Sequence, residues 1–218
     1  FGVDDIPNTT QLIDNNGQIN YDRIKSFTAA DYAFILSYAR KSKIEGLSYG
    51  ANAKIIYRKV GDFANAFGFG LDFGAQYQRG TWKFSAMARD LTSTFNAWSY
   101  SLDESTKQVF LQTGNEIPSN SLEVTLPRLI LGAGKKITIY KKFSTYIEAN
   151  FDFTFDGKRN VAIKGDPVSI DPKFGLQFAY SDFIFVRGGV CNIQQVTDID
   201  GKKVTTIQPN IGVGIRIK

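Results

Sequence analysis

Apolar and polar residues alternate along much of this chain with a period of two, in segments of about ten residues, the rhythm of strands that show different chemistry on their two faces. The clearest segment sets Phe67, Phe69, Leu71, Phe73, Ala75 and Tyr77 against Gly68, Gly70, Asp72, Gly74, Gln76 and Gln78. Leu47, Tyr49, Ala51, Ala53, Ile55 and Tyr57 oppose Ser48, Gly50, Asn52, Lys54 and Arg58, with Ile56 breaking the pattern. The rhythm recurs in Trp82 to Arg89, Ile147 to Phe155, Phe174 to Tyr180 and Ile207 to Lys218. It is weaker in Tyr32 to Tyr38 and Phe183 to Asn192, and around Val124 to Lys136 it requires a break near Pro127, which cannot donate to a ladder. About nine strands are expected in all.

Connection lengths are a second signal. Short links are expected at Lys41 to Gly46, Arg79 to Thr81, Tyr140 to Lys142 and Ser181 to Asp182, all at one end of the strands. The other end carries Gly61 to Asn65 and three longer connections, Leu91 to Ser121, Asp156 to Pro167 and Gln195 to Lys203. Short periplasmic turns and long outer loops are the convention of outer-membrane barrels. Asp156-Gly157 and Asp200-Gly201 are tight-turn dipeptides, which predict that two outer loops extend as hairpins.

The expected fold is therefore all-β, a transmembrane antiparallel β-barrel forming one domain over residues 1–218. No run approaches the roughly 18 to 20 apolar residues of a spanning helix, so insertion has to use strands, and a closed barrel satisfies their backbone groups in lipid. Single-chain bacterial barrels have even strand numbers, so an odd count, in a chain opening at Phe1 without a methionine or signal peptide, implies that amino-terminal strands are missing.

Composition narrows the chemistry. The 218 residues suffice for one sizeable barrel, and aromatics reach 14% with 18 Phe and 10 Tyr, a bias toward pleated surfaces. The net charge of +5 comes from scattered Lys and Arg and not from a basic block, which argues against a nucleic-acid partner. There is no histidine, which removes imidazole-dependent triads and metal sites, and the single Cys191 allows no internal disulfide. No catalytic residue, cofactor site or metal site is assigned, and the protein is not expected to be an enzyme. Asp14-Asn15-Asn16-Gly17 begins like a calcium loop, but its glycine comes two positions early and no closing Glu follows, so it reads as a turn. Gly68, Gly70 and Gly74 lead into no helix and read as space for a neighbour or ligand. Lys54, Arg58, Asp72, Lys83, Arg89, Glu148 and Asp152 on the polar faces either pair inside a plugged lumen or line a pore. Phe95, Trp98 and Tyr100, within the long connection, are the candidate partner-binding residues, with an interfacial aromatic belt as the other reading.

Tyr49-Gly-Ala-Asn-Ala-Lys54, Lys59-Val-Gly-Asp62, Phe67-Gly-Phe-Gly-Leu-Asp72 and Ala88-Arg-Asp-Leu-Thr-Ser-Thr-Phe-Asn-Ala-Trp98 resemble the PorV/PorQ-like outer-membrane proteins, as do Ala29-Ala-Asp-Tyr32 and Ser37-Tyr-Ala-Arg40. The resemblance is strongest from about Phe27 to Tyr100. It implies a relative of the long-chain fatty-acid transporter barrels, roughly fourteen-stranded, whose amino-terminal part is absent here. It also implies a role in type IX secretion at the bacterial outer membrane, with loops at the cell surface. The barrel would associate with the large translocon subunit, accept the carboxy-terminal signal domains of secreted cargo and shuttle them to the surface attachment machinery. A sister branch anchors a surface protein of that machinery. A barrel that transports hydrophobic small molecules is the alternative, and an apolar pocket inside the barrel is the feature that would favour it.

Overall fold

The computed structural model describes residues 1–13 and 17–217. The calcium-like stretch from Asp14 and the terminal Lys218 lie at least partly outside the described residues. The chain is all-β and antiparallel, as expected. Its strands are β1 (Gly2–Asn8), β2 (Lys25–Lys41), β3 (Leu47–Val60), β4 (Ala64–Arg79), β5 (Trp82–Arg89), β6 (Thr94–Tyr100), β7 (Ser121–Thr125), β8 (Arg128–Tyr140), β9 (Phe143–Thr154), β10 (Ser169–Tyr180), β11 (Ile184–Thr197) and β12 (Lys203–Ile215). A single α-helix, α1 (Glu104–Gln112), interrupts them among the described residues.

Among the described residues twelve strands replace the expected nine. The additional ones are β1, β6 and β7, and each hides its rhythm for a local reason. β1 carries Asp4, Asp5 and Pro7, and its register with β2 shifts between Val3 and Ile6. β6 and β7 form a hairpin, Thr94↔Thr125 to Trp98↔Ser121, inside what reads in sequence as one long connection. β7 ends at Thr125 and β8 begins at Arg128, so the break near Pro127 is present. The hydrogen-bonded order is β1-β2-β3-β4-β5-β8-β9-β10-β11-β12, with β6 pairing β4 and β7. Among the described residues this path is open: β1 and β12 each have one neighbour, where the sequence predicts a closed barrel.

By contacts the chain divides into two compact units. One comprises Phe1–Leu36, Ala53–Gly70 and Ser93–Thr125. There β4 pairs with β6 from Ala64↔Tyr100 to Phe69↔Phe95. The other comprises Ser37–Asn52, Leu71–Thr92 and Leu126–Lys218. There β4 pairs with β5 from Phe73↔Ala88 to Arg79↔Trp82, and β5, β8, β9, β10, β11 and β12 follow as a meander. Pro172 is accommodated inside β10 because the β10–β11 ladder reaches only Phe174↔Val190.

The expected short turns fall where the spacing puts them, since β2, β4, β8 and β10 end at Lys41, Arg79, Tyr140 and Tyr180. The two turn dipeptides behave differently. Asp200-Gly201 closes a hairpin, with Thr197 paired to Lys203 and Gly201 at φ 76°. Asp156-Gly157 does not: β9 stops at Thr154, and residues 155–168 fold back irregularly with the Gly157 N–H donating to the Pro167 carbonyl at 3.2 Å.

Burial is inverted relative to a water-soluble domain. Buried aliphatic and aromatic residues number four among the described residues, Ala64, Ala66, Ala179 and Phe185, while Asp72, Asp90, Asn96, Asp152 and Ser169 are among the polar residues buried. Phe67, Phe69, Phe73, Ile147, Phe151, Phe174 and Phe178 are exposed. The alternation is therefore obeyed with the apolar face outward. Glycine on the polar face makes room for large polar neighbours: a methyl group at Gly134 would overlap the Tyr146 hydroxyl, and one at Gly132 the Asn150 amide and the Ser85 hydroxyl. Gly134→Val is expected to cost about 1–3 kcal/mol through overpacking. The shift of the urea midpoint of the refolded protein measures it, and an unchanged midpoint contradicts the packing described.

Candidate functional site

Alternation along β6 divides the three aromatic candidates. Phe95 is exposed on the apolar face, opposite Phe69 and Val124 in register. Trp98 and Tyr100 are half-buried on the other face, which they share with buried Thr94 and Asn96. Their rings stack with centroids 6.2 Å apart and planes at 22°. The structure thus joins Trp98 to Tyr100 and sets Phe95 apart from both.

Trp98 sits in a charged cluster. Its indole Nε1 donates to Glu123 Oε2 at 3.0 Å, and the Arg58 guanidinium lies 5.1 Å from its ring centroid. Arg58 also donates through Nη1 to Glu123 Oε2 and through Nε to Asp31 Oδ1, each at 3.0 Å. The guanidinium is thereby bonded to two carboxylates while its face covers an indole, a geometry that lysine cannot reproduce. The four side chains come from β2, β3, β6 and β7. Beneath them, small residues of β4 allow the hairpin to approach: a methyl at Gly68 would overlap the Asn96 amide oxygen, and one at Gly70 the Thr94 hydroxyl.

The β6–β7 connection carries α1. Asp103 caps it, its Oδ1 accepting the Thr106 N–H at 2.9 Å and its Oδ2 the Ser105 hydroxyl at 3.0 Å. Hydrogen bonding to the Thr106 hydroxyl and N–H and to Ser105 holds the Asp103 carboxyl below its ordinary range. The Gln11 amide donates to Ser105 Oγ at 2.8 Å, tying residues near the amino end to the start of the helix. Leu111 is exposed on it.

Several of the polar-face charges have partners. Asp72 accepts the buried N–H of Asp90 at 2.9 Å and the Asn52 amide at 3.4 Å. Glu148 accepts the Asn150 amide at 2.7 Å, and Lys173 reaches Asp152 at 3.4 Å. Arg89 lies 3.7 Å from Asp90, and Lys83 stands 5.8 Å from the Tyr146 ring centroid. Near the short turns the second unit contains a cavity of about 710 Å³, bordered by Gln76, Gln78, Lys83, Tyr146 and Glu148 together with Ile44 and Leu47. No group of three or more His, Cys, Asp or Glu side chains placed to hold a metal occurs among the described residues.

Sequence reading marks Arg58 only as a polar-face charge and does not single out Asp31 or Glu123. Glu123 had a signal, because Leu122 and Val124 flank it in a short alternating run, both exposed. Pro127 and the length of the connection hide that strand. The chain matches no protein-family model, no curated protein and no solved structure.

In a Trp82→Phe background Trp98 is the sole indole. Arg58→Ala should then shift its emission to the red and raise its acrylamide quenching. A double-mutant cycle of Arg58→Ala with Glu123→Gln should return a coupling of about 0.2–1 kcal/mol, the range for partly exposed pairs. Strictly additive effects would contradict the cluster.

Proposed function

We propose that this chain belongs to an outer-membrane β-barrel of type IX secretion, which binds the signal domains of secreted cargo at the large translocon subunit and shuttles them to the surface attachment machinery. The observation that carries the membrane part is the inverted burial: aromatic and aliphatic side chains are exposed while carboxylates, amides and hydroxyls are buried. Exposing that much apolar surface to water is unfavourable by about 25 cal/mol per Å², and hydrocarbon removes the cost. No helix among the described residues is long and apolar enough to cross a membrane, so strands would do the crossing. In this reading the open edges of β1 and β12 require further strand pairing, because lipid satisfies no backbone group.

The secretion part rests on the residue patterns that resemble the PorV/PorQ-like proteins. The β6–α1–β7 excursion and residues 155–168 are the elements suited to grip cargo, both being long connections on the side opposite the short turns. The second reading, transport of a hydrophobic small molecule, draws on the size of the 710 Å³ cavity. Its amide, ammonium and carboxylate walls suit such a cargo poorly, so the shuttle reading is preferred.

The secondary structure dictates the form of the test. Excising Leu91 to Ser121 whole would remove β6, which pairs with both β4 and β7. Replacing residues 102–119 with a short Asn-Gly turn spares both strands. This variant should retain its heat-modifiable folded form and lose co-purification of secreted cargo from native membranes. Undiminished cargo capture would count against the assignment, and retained uptake of a fatty acid by a variant without cargo would favour the transporter.

A further inference from the structure

Four buried side-chain oxygens lack a hydrogen-bond partner among the described residues, and three of them lie together: Asp152 Oδ1, Thr154 Oγ1 and Asp171 Oδ1. Asp152 and Asp171 are directly opposed in the β9–β10 register, which places their Cβ atoms about 5 Å apart on one face. Thr154 follows Asp152 by two residues on that face, and each is 7% exposed. Such groups are normally bonded to protein, water or an ion, so three unpaired oxygens in one place point to an occupant.

The neighbouring groups leave these atoms free. Lys173 Nζ approaches Oδ2 of Asp152 at 3.4 Å and Oδ2 of Asp171 at 3.7 Å, so one ammonium serves two carboxylates and Oδ1 of each is left over. Ser169, opposite Thr154, is completely buried, and its hydroxyl is engaged by the loop: it lies 3.0 Å from the Gly157 carbonyl oxygen and accepts the Arg159 N–H at 3.1 Å. Arg128 stands across Thr154 on the β8 side, and Arg159 pairs with Asp156 at 3.4 Å.

We infer that Asp152, Asp171 and Thr154 form a divalent-cation site at the loop end of β9 and β10, suited to calcium. The donors are all hard oxygens, which exclude a preference for soft metals. An irregular set completed by water and loop carbonyls fits the adaptable coordination of calcium better than the strict octahedron of magnesium. With Lys173 and Arg128 close by, affinity falls in the weak range of extracellular modules, about 10⁻⁴–10⁻³ M. Occupancy would add a bridge at the end of the β9–β10 ladder, where the 155–168 connection departs and returns, which makes the order of that loop depend on calcium.

Calorimetric titration of calcium chloride into the full chain, folded in detergent, tests the site. Binding in the stated range is expected. Asp152→Asn with Asp171→Asn should weaken it at least tenfold and Thr154→Val severalfold, with the circular dichroism of the sheet retained. Lys173→Met separates a cation site from a purely structural ion-pair cluster, since removing the competing ammonium should tighten calcium binding. Absence of binding heat up to roughly ten times the weakest expected constant, an undiminished affinity in the double Asn variant, or unchanged or weaker binding in Lys173→Met would each overturn the assignment.

Discussion

Each strand of this sheet must reconcile two faces of opposite chemistry with one continuous backbone ladder, and the structure follows from that constraint. Because successive side chains point to opposite faces, a strand that places Phe67, Phe69 and Phe73 on one side has to place Gly68, Gly70 and Asp72 on the other. The ladder then propagates the choice, since directly opposed residues share a face. Phe69 meets Phe95 and Gly68 meets Asn96; Asp152 meets Asp171 and Phe151 meets Pro172. A one-residue slip at any pair would bring aromatic rings among carboxylates.

The other face is consequently polar, and its packing is won by pairing charges and by removing side chains. Arg58 between Asp31 and Glu123, Lys173 between Asp152 and Asp171, and Asp72 beneath the Asp90 N–H are local solutions to the same problem, a charge that shares the polar face with its neighbours, half-exposed in the first case and buried in the last. Glycine supplies the space: Gly134 admits the Tyr146 hydroxyl and Gly70 the Thr94 side chain. Where charges do not balance, as with two carboxylates and one ammonium at Lys173, unpaired oxygens remain, and it is there that a ligand has something to bind.

The fold class was legible because alternation survives in the long strands, and the short turns were legible because they interrupt it cleanly. β1, β6 and β7 were not, for reasons specific to each. Pro7 and the adjacent acids obscure the first, and a hairpin of seven and five residues around a helix reads as loop when judged in windows of ten. The Asp156-Gly157 dipeptide misled for a different reason. Local turn chemistry favoured a hairpin there, whereas the buried Ser169 hydroxyl anchors the connection to Gly157 and Arg159 in an irregular form that no dipeptide encodes. The candidate aromatic triad was half legible: residue type located Trp98 and Tyr100, but only parity along β6 shows that Phe95 faces away. Arg58 was visible as a charge, while its two carboxylate partners lie 27 and 65 residues away in the chain and became apparent only once the strands were paired.

In the proposed membrane setting, hydrocarbon would cover the apolar face. Phe174 lies within β10, paired with Ala149 on one side and Val190 on the other, and is 48% exposed. Its replacement by arginine, followed by equilibrium urea unfolding in phosphatidylcholine vesicles, tests the claim most directly. A lipid-facing position near the bilayer centre predicts a loss of about 2–4 kcal/mol. A change within about 0.5 kcal/mol, as expected of an ordinary water-exposed site, would contradict it.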